Sequence, residues 1–410
     1  WSITSGPRTG CEIAQLGTGV RVLRASAQAG RKNFASIGRA CPPHHSGRAE
    51  PTRWNLAIAI LLFVPVIASG QVVDTTLWSF SPGDRVLAIA PVGDTLYLGG
   101  NFLYVGPSTG GGVPVDVGSA QESRPYPRVV GEVDAVVADG FGGWFIGGHF
   151  PFVGGLPRSN LAHIAADGSV SAWAPNPNNR VWALALKGDT LFVGGDFDSI
   201  GTTARGRLAA LRASSDTPIS WRCDADGRIS ALLVNSGTLY AGGWFSTLNG
   251  QSRSYVGAVE TGTGEITTWQ VSLNDRVRGL AMADTTLFIG GYFNSANGEL
   301  HQGVAAVGAQ SGAVHAWDAL LTRTPNTGSD GGPHVRALLV HGNSLIVAGS
   351  FSSLGGQPRS GLAQLDLLSA QATAWQISAS YPRALGAEFW ALAISGDTLF
   401  VAGQYQAIAG

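Results

Sequence analysis

Seven short apolar runs in this 410-residue chain are each preceded by a side chain that can carry charge: Arg85, Glu132, Arg180, Arg228, Arg276, His334 and Glu388. Four of them are Arg, whose planar fork of donors suits carboxylate, sulfate or phosphate oxygens. If the runs belong to one element repeated around an axis, these seven side chains encircle one opening, with Arg180, Arg228 and Arg276 forming a single arc. Such an arc would draw in a carboxylated or sulfated glycan or an acidic peptide, because low-dielectric walls focus the field of like charges. A plainer alternative is a ring of mutual ion pairs that closes the opening, with Asp84 beside Arg85 and Asp275 beside Arg276.

A second column of cations, Arg158, Arg205, Arg253, His301 and Arg359, stands ten residues after a recurring Gly. A residue repeated this way serves the repeat, so each guanidinium is expected to bond carbonyls of its own or the next unit's loops. Other chemistry is sparse. The chain has no Gly-x-Ser-x-Gly elbow, phosphate-binding loop, His-Glu-x-x-His pair or EF-hand loop. His149, His163, His301, His315, His334 and His341 fall at different positions of the pattern, so neither a shared metal centre nor a cofactor is expected. Asp196 and Asp198, two apart at a strand end, share a face and form the one candidate acid–base pair, against a capped turn.

The elements that would position these columns are legible from the spacing. An apolar run, a turn such as Gly188-Asp189-Thr190, a second run ending in Gly-Gly, a polar loop, a third run and then an aromatic residue recur seven times. The second glycines, Gly100, Gly148, Gly195, Gly243, Gly291, Gly349 and Gly403, lie 48, 47, 48, 48, 58 and 54 residues apart. Trp78, Tyr126, Trp173, Trp221, Trp269, Trp317 and Trp375 repeat in step, as expected of unit-to-unit packing. The pieces are short, rich in β-branched and aromatic residues and bounded by turn residues, so they are strands. Four strands per period predict an all-β fold: a seven-bladed β-propeller of four-stranded antiparallel blades with a 48-residue repeat. We name the strands a to d from the axis outward, the blades beginning near residues 86, 133, 181, 229, 277, 335 and 389. The Gly-Gly pairs mark a bulge or a close backbone approach at the end of strand b. Thr76 to Phe80 matches strand d and is expected to close the ring on the last blade, which is incomplete at Gly410, so a strand c is expected to follow in the natural chain.

Composition agrees. Gly (58) and Pro (20) are abundant, as many turns require, while 44% apolar and 13% charged residues exclude disorder. Residues 1–53 hold eight basic side chains against Glu12 and Glu50, leaving 18 of the 26 basic and 25 of the 27 acidic groups in the remainder. An acidic body argues against nucleic acid. Residues 54–70 read as a signal peptide: Leu56 to Ala68 is uncharged and follows Arg53, with small residues before Gln71. The segment before it, 1–53, reads as a non-native or read-through leader that packs on nothing, and 71–410 as the propeller, with no membrane span. Cys223 is the one cysteine of that body, so no internal disulfide forms there.

The unit Gly188-Asp189-Thr190-Leu191-Phe192-Val193-Gly194-Gly195-Asp196-Phe197, continued by Arg207-Leu208-Ala209-Ala210-Leu211 and Trp221, resembles the delta-60-type repeat β-propellers of bacterial secreted proteins, with related domains in fungal cortical-marker proteins. The resemblance implies a fold and no common catalytic residues. Ala348 and Ala402, in place of the first Gly of the pair, and the irregular loop from Gly106 to Gly112 depart from it. The expected function is a monomeric, non-enzymatic, secreted or cell-surface scaffold that binds protein or glycan through its loop face. The alternative is a secreted propeller enzyme: a polysaccharide lyase, a glycosidase or a quinoprotein-like oxidoreductase.

Overall fold

The computed structural model describes residues 127–323 and 332–380, together with the strand backbones at 21–24, 78–80, 85–92, 95–101, 105–107, 388–395, 398–404 and 407–409. Every regular element among them is a β-strand and every pairing is antiparallel. No helix among the described residues is long and apolar enough to cross a membrane.

Strands a and b recur as a hairpin. Val181–Lys187 pairs with Thr190–Gly195, Arg228–Asn235 with Thr238–Trp244, Val277–Ala283 with Thr286–Gly291, and His334–His341 with Ser344–Ser350. Two-residue turns join them, and the first turn residue takes a left-handed conformation in each: Gly188 (φ 56°), Ser236 (53°), Asp284 (47°) and Gly342 (55°). Strand c then pairs on the far side of b, as Leu208–Arg212 does with Thr190–Gly195. Strand b is covered on both sides and is almost continuously buried, which is why Leu191-Phe192-Val193 shows no alternation.

The Gly-Gly pair has two separate causes. A Cβ on Gly194 would stand 2.5 Å from Cγ2 of Ile229, in strand a of the next repeat, so the first glycine sets the spacing between repeats. A Cβ on Gly195 would stand 2.3 Å from the carbonyl oxygen of Arg180, in its own strand a, where the a–b ladder skips a residue between Val181 and Ala183. At the first position of one repeat Ala348 stands in place of Gly, in a buried cluster with Phe389 of the next repeat.

Three members of the Trp column join neighbouring repeats, whereas the indole N–H of Trp317 is buried without a partner among the described residues. Trp173, Trp221 and Trp269 donate Nε1–H to carbonyls of the following repeat, at Ser215 (2.8 Å), Glu260 (3.0 Å) and Gly308 (3.0 Å). Each also packs edge-on against an aromatic of its own strand b, Phe145, Phe192 and Tyr240, with centroids 5.1–5.4 Å apart. Trp78 and Tyr126 lie outside the described residues as side chains.

Three expectations need correction. Strand d is a full strand in one described repeat, Pro218–Arg222 against Leu208–Arg212. In the others it shrinks to single bridges such as Val259↔Ile266 and Val307↔Val314. The backbone after the Trp turns away to the next repeat's b–c hairpin, as at Ala225↔Leu248 and Leu273↔Ala296. The same crossover accounts for Trp78–Phe80, which pairs with Val105–Pro107 in the first repeat rather than with the last blade. Finally, Arg21–Arg24, in the segment expected to stand free, pairs with Thr398–Gln404 at the outer edge of that strand b.

Candidate functional site: the inner-strand mouth

In every described repeat the a–b ladder skips one residue of strand a, two positions after the charged column. A bulge re-aims the side chain it carries. The bulged residues are Leu87, Asp134, Trp182, Ser230, Arg278, Arg336 and Trp390. They join the residues that follow the Gly-Gly pair, among them Asp196, Trp244 and Tyr292. Three columns therefore converge where strand a begins and strand b ends.

On one arc the charges are closed. Arg180 forks onto Asp134, with Nε to Oδ2 at 2.7 Å and Nη2 to Oδ1 at 2.6 Å, and reaches Glu132 at 2.6 Å. These carboxylates, set against the cost of burial, hold its pKa above the ordinary arginine value. Arg228 donates Nε–H to Asp196 at 2.8 Å, and the other oxygen of Asp196 accepts from Trp182 Nε1 at 2.7 Å. The indole of Trp182 lies between the two guanidinia, with Arg180 at 4.0 Å and Arg228 at 4.5 Å from its ring centre. Asp196 is thus fully engaged, and Asp198 bonds Asn178, whose Oδ1 accepts from the backbone of Asp198 and Ser199. The two carboxylates meet different partners, Asp196 the inner-strand Arg228 and Trp182, and Asp198 the linker residue Asn178.

Farther round, Glu388 accepts from His334 Nε2 at 3.1 Å and also from Arg336. Burial opposes its charge, but these two donors win and hold its pKa down at about 2. His334 is buried, stacks on Tyr292 at 4.1 Å and faces the Gly332 carbonyl with its other ring nitrogen.

Between these closed stretches stand Arg276 and Arg278. Neither guanidinium has a carboxylate within 4 Å or a hydrogen-bond acceptor among the described residues. Asp275, the expected ion partner of Arg276, accepts instead from the Arg276 backbone N–H at 2.6 Å. Arg276 lies 3.9 Å over Tyr292 and 5.5 Å from Trp244, and Arg278 lies 5.7 Å from Trp182. Burial, with the positive neighbours Arg336, Arg228 and Arg276 outweighing the nearby Tyr292, presses the Arg278 pKa below the ordinary value. The expected arc of Arg180, Arg228 and Arg276 is corrected accordingly: carboxylates of the preceding repeat occupy the first two, and the open pair is Arg276 with Arg278. Sequence reading passed over Arg278, although its place two residues after Arg276 on a strand was the available signal. The side chain of Arg85 lies outside the described residues.

Four members of the loop column bond backbone carbonyls of their own repeat. Arg158, Arg205, Arg253 and Arg359 each donate Nη1–H to the preceding residue's carbonyl and Nη2–H to a carbonyl two residues before the Trp column, Ser171, Ile219, Thr267 and Thr373, at 2.6–3.0 Å. His301 is too short to make this staple and remains buried beside Glu299 at 3.9 Å. No group of three His, Cys, Asp or Glu among the described residues could hold a metal ion. Burial pushes the Cys223 thiol up to about 12, consistent with a packing role.

Comparison with known families fits this architecture. Residues 343–367, covering strands b and c of one repeat, match a family described as a domain of unknown function (DUF5122) beta-propeller. The described residues form repeated all-β antiparallel sheets, and the family matched within them is a β-propeller family. Among solved structures, the computationally designed Ika8 protein is similar at 14% identity and a TM-score of 0.44, covering 80% of this chain and 87% of that one. The Neurospora crassa Pan2 WD40 domain is similar at 13% identity and a TM-score of 0.42, covering 81% and 96%. No curated protein sequence matches.

Proposed function

We propose that this chain is a non-enzymatic, exported or cell-surface propeller that binds an anionic ligand where its innermost strands begin. Seven blades of the delta-60 type, closed into a ring, complete the reading, which places the mouth at the end of a central channel on the b–c and d–a loop face. The observation that carries it is the pair of guanidinia at Arg276 and Arg278, left without carboxylate partners while the other inner cations among the described residues, Arg180, Arg228, His334 and Arg336, are matched. Partly buried positive charges held close together are costly unless an anion relieves them. The carboxylates that an enzyme reading would need, Asp196 and Glu388, are occupied by Trp182, Arg228, His334 and Arg336. The export reading rests on the uncharged segment from Leu56 to Ala68.

Calorimetric titration with sodium sulfate at low and high chloride tests this reading. Saturable binding that weakens with salt is expected. Heat indistinguishable from dilution at low ionic strength overturns it.

A further inference from the structure

The surroundings of Arg276 and Arg278 narrow the chemistry of the ligand. Two large aromatic side chains stand exposed at this mouth where most of their class are buried: Trp244 at 58% and Trp390 at 48%. Neither is needed to cover the core. Trp244 follows its Gly-Gly pair in the position where the preceding repeat has Asp196 and the next has Tyr292, and its ring stands 5.5 Å from the Arg276 guanidinium. An exposed indole beside an unpaired guanidinium combines a flat apolar face with a carboxylate fork.

Acidic peptides and acidic glycans both carry carboxylates, but they ask different things of a site. A peptide brings backbone N–H groups that need acceptors. The mouth presents donors and aromatic faces, and its carboxylates Asp196 and Glu388 are already engaged. A uronic acid ring brings a carboxylate for the guanidinium, hydroxyls that accept from further Arg N–H groups, and a face of C–H bonds that packs on an indole. We infer that the mouth recognises an acidic glycan, the carboxylate of a uronic acid meeting Arg276 and Arg278 while its ring packs on Trp244. This rests on the anion-binding reading above and adds the ligand class to it.

Isothermal titration of the full chain separates the two. The probes are a galacturonate oligomer, its methyl ester, a glutamate-rich peptide and sulfate, each tested on the unaltered protein, on Trp244→Ala and on the Arg276→Gln/Arg278→Gln double variant. Because Trp244 is exposed, its replacement is expected to leave the melting temperature unchanged. The oligogalacturonate should bind more tightly than its ester or the peptide. It should weaken about tenfold in Trp244→Ala, the size of one aromatic contact, while sulfate binding is unchanged there, and it should be lost in the double variant. If sulfate binds with salt sensitivity but the uronate binds no better than its ester or the peptide, or ignores Trp244→Ala, the glycan inference fails and anion binding stands. If no anion binds, the underlying reading fails as well.

Discussion

Two arcs built on the same repeat differ in what their arginines meet. From Glu132 to Arg228, each guanidinium lands on a carboxylate of the preceding repeat, and Trp182 fills the space between them. At Arg276 and Arg278 the preceding repeat offers Ser230 and Trp244 in the places where Asp134 and Asp196 stand on the closed arc, so backbone geometry is kept and the charge is left open. A repeat makes a departure from its own rule visible: the closed arc matches each charge, and the open arc leaves two of them without a partner among the described residues.

The largest effect should come from breaking the closed arc. Asp196→Ala strands the Arg228 guanidinium and the Trp182 N–H together, and a loss of about 1–3 kcal/mol is expected in chemical denaturation. Equal stability of the variant would mean that the arc is not held by this carboxylate. Arg205→Ala, which removes the two carbonyl bonds of one loop staple, should cost about 1–2 kcal/mol and leave sulfate affinity untouched. A change in affinity would turn that column into part of the site.

The open arc should respond in the opposite way. Arg278→Leu removes a partly buried, unmatched charge, so a melting temperature equal to or above that of the unaltered protein is expected, together with weaker anion binding. A clear drop in melting temperature would show that Arg278 has a structural partner. The smallest effect concerns acid. Because the Glu388 pKa lies at about 2, below the ordinary 4.5, its charge contributes stability that is fully present above pH 4.5 and is lost as pH falls toward 2. Glu388→Gln should flatten that limb of the stability curve and leave the region near pH 7 with no added slope. An unchanged acid limb would separate Glu388 from it.

Much of this was legible before any coordinates. The a–b hairpin turns and the Gly-Gly close approach follow from residues whose conformational demands are local and repeated. The arginine staples and Trp links follow because one side chain recurs with one task. The bulge column was hidden because Trp182, Arg278 and Arg336 sit inside runs read as apolar, and a skipped residue on one strand has no signature in its own sequence. The pairing of Arg180 and Arg228 across repeats was hidden for a similar reason, since their partners lie 46 and 32 residues away and not beside them. The role of Trp78–Phe80 was misjudged because a strand-d pattern and a crossover to the next hairpin look alike in a three-residue segment.

The most direct test of the account compares anion affinity after charge removal on each arc. Sulfate titrations at low salt are run on Arg180→Gln and on Arg276→Gln/Arg278→Gln, alongside the unaltered protein. The account predicts that Arg180→Gln binds normally though it melts earlier, while the double variant melts normally and does not bind. Binding that survives in the double variant and disappears in Arg180→Gln would contradict it.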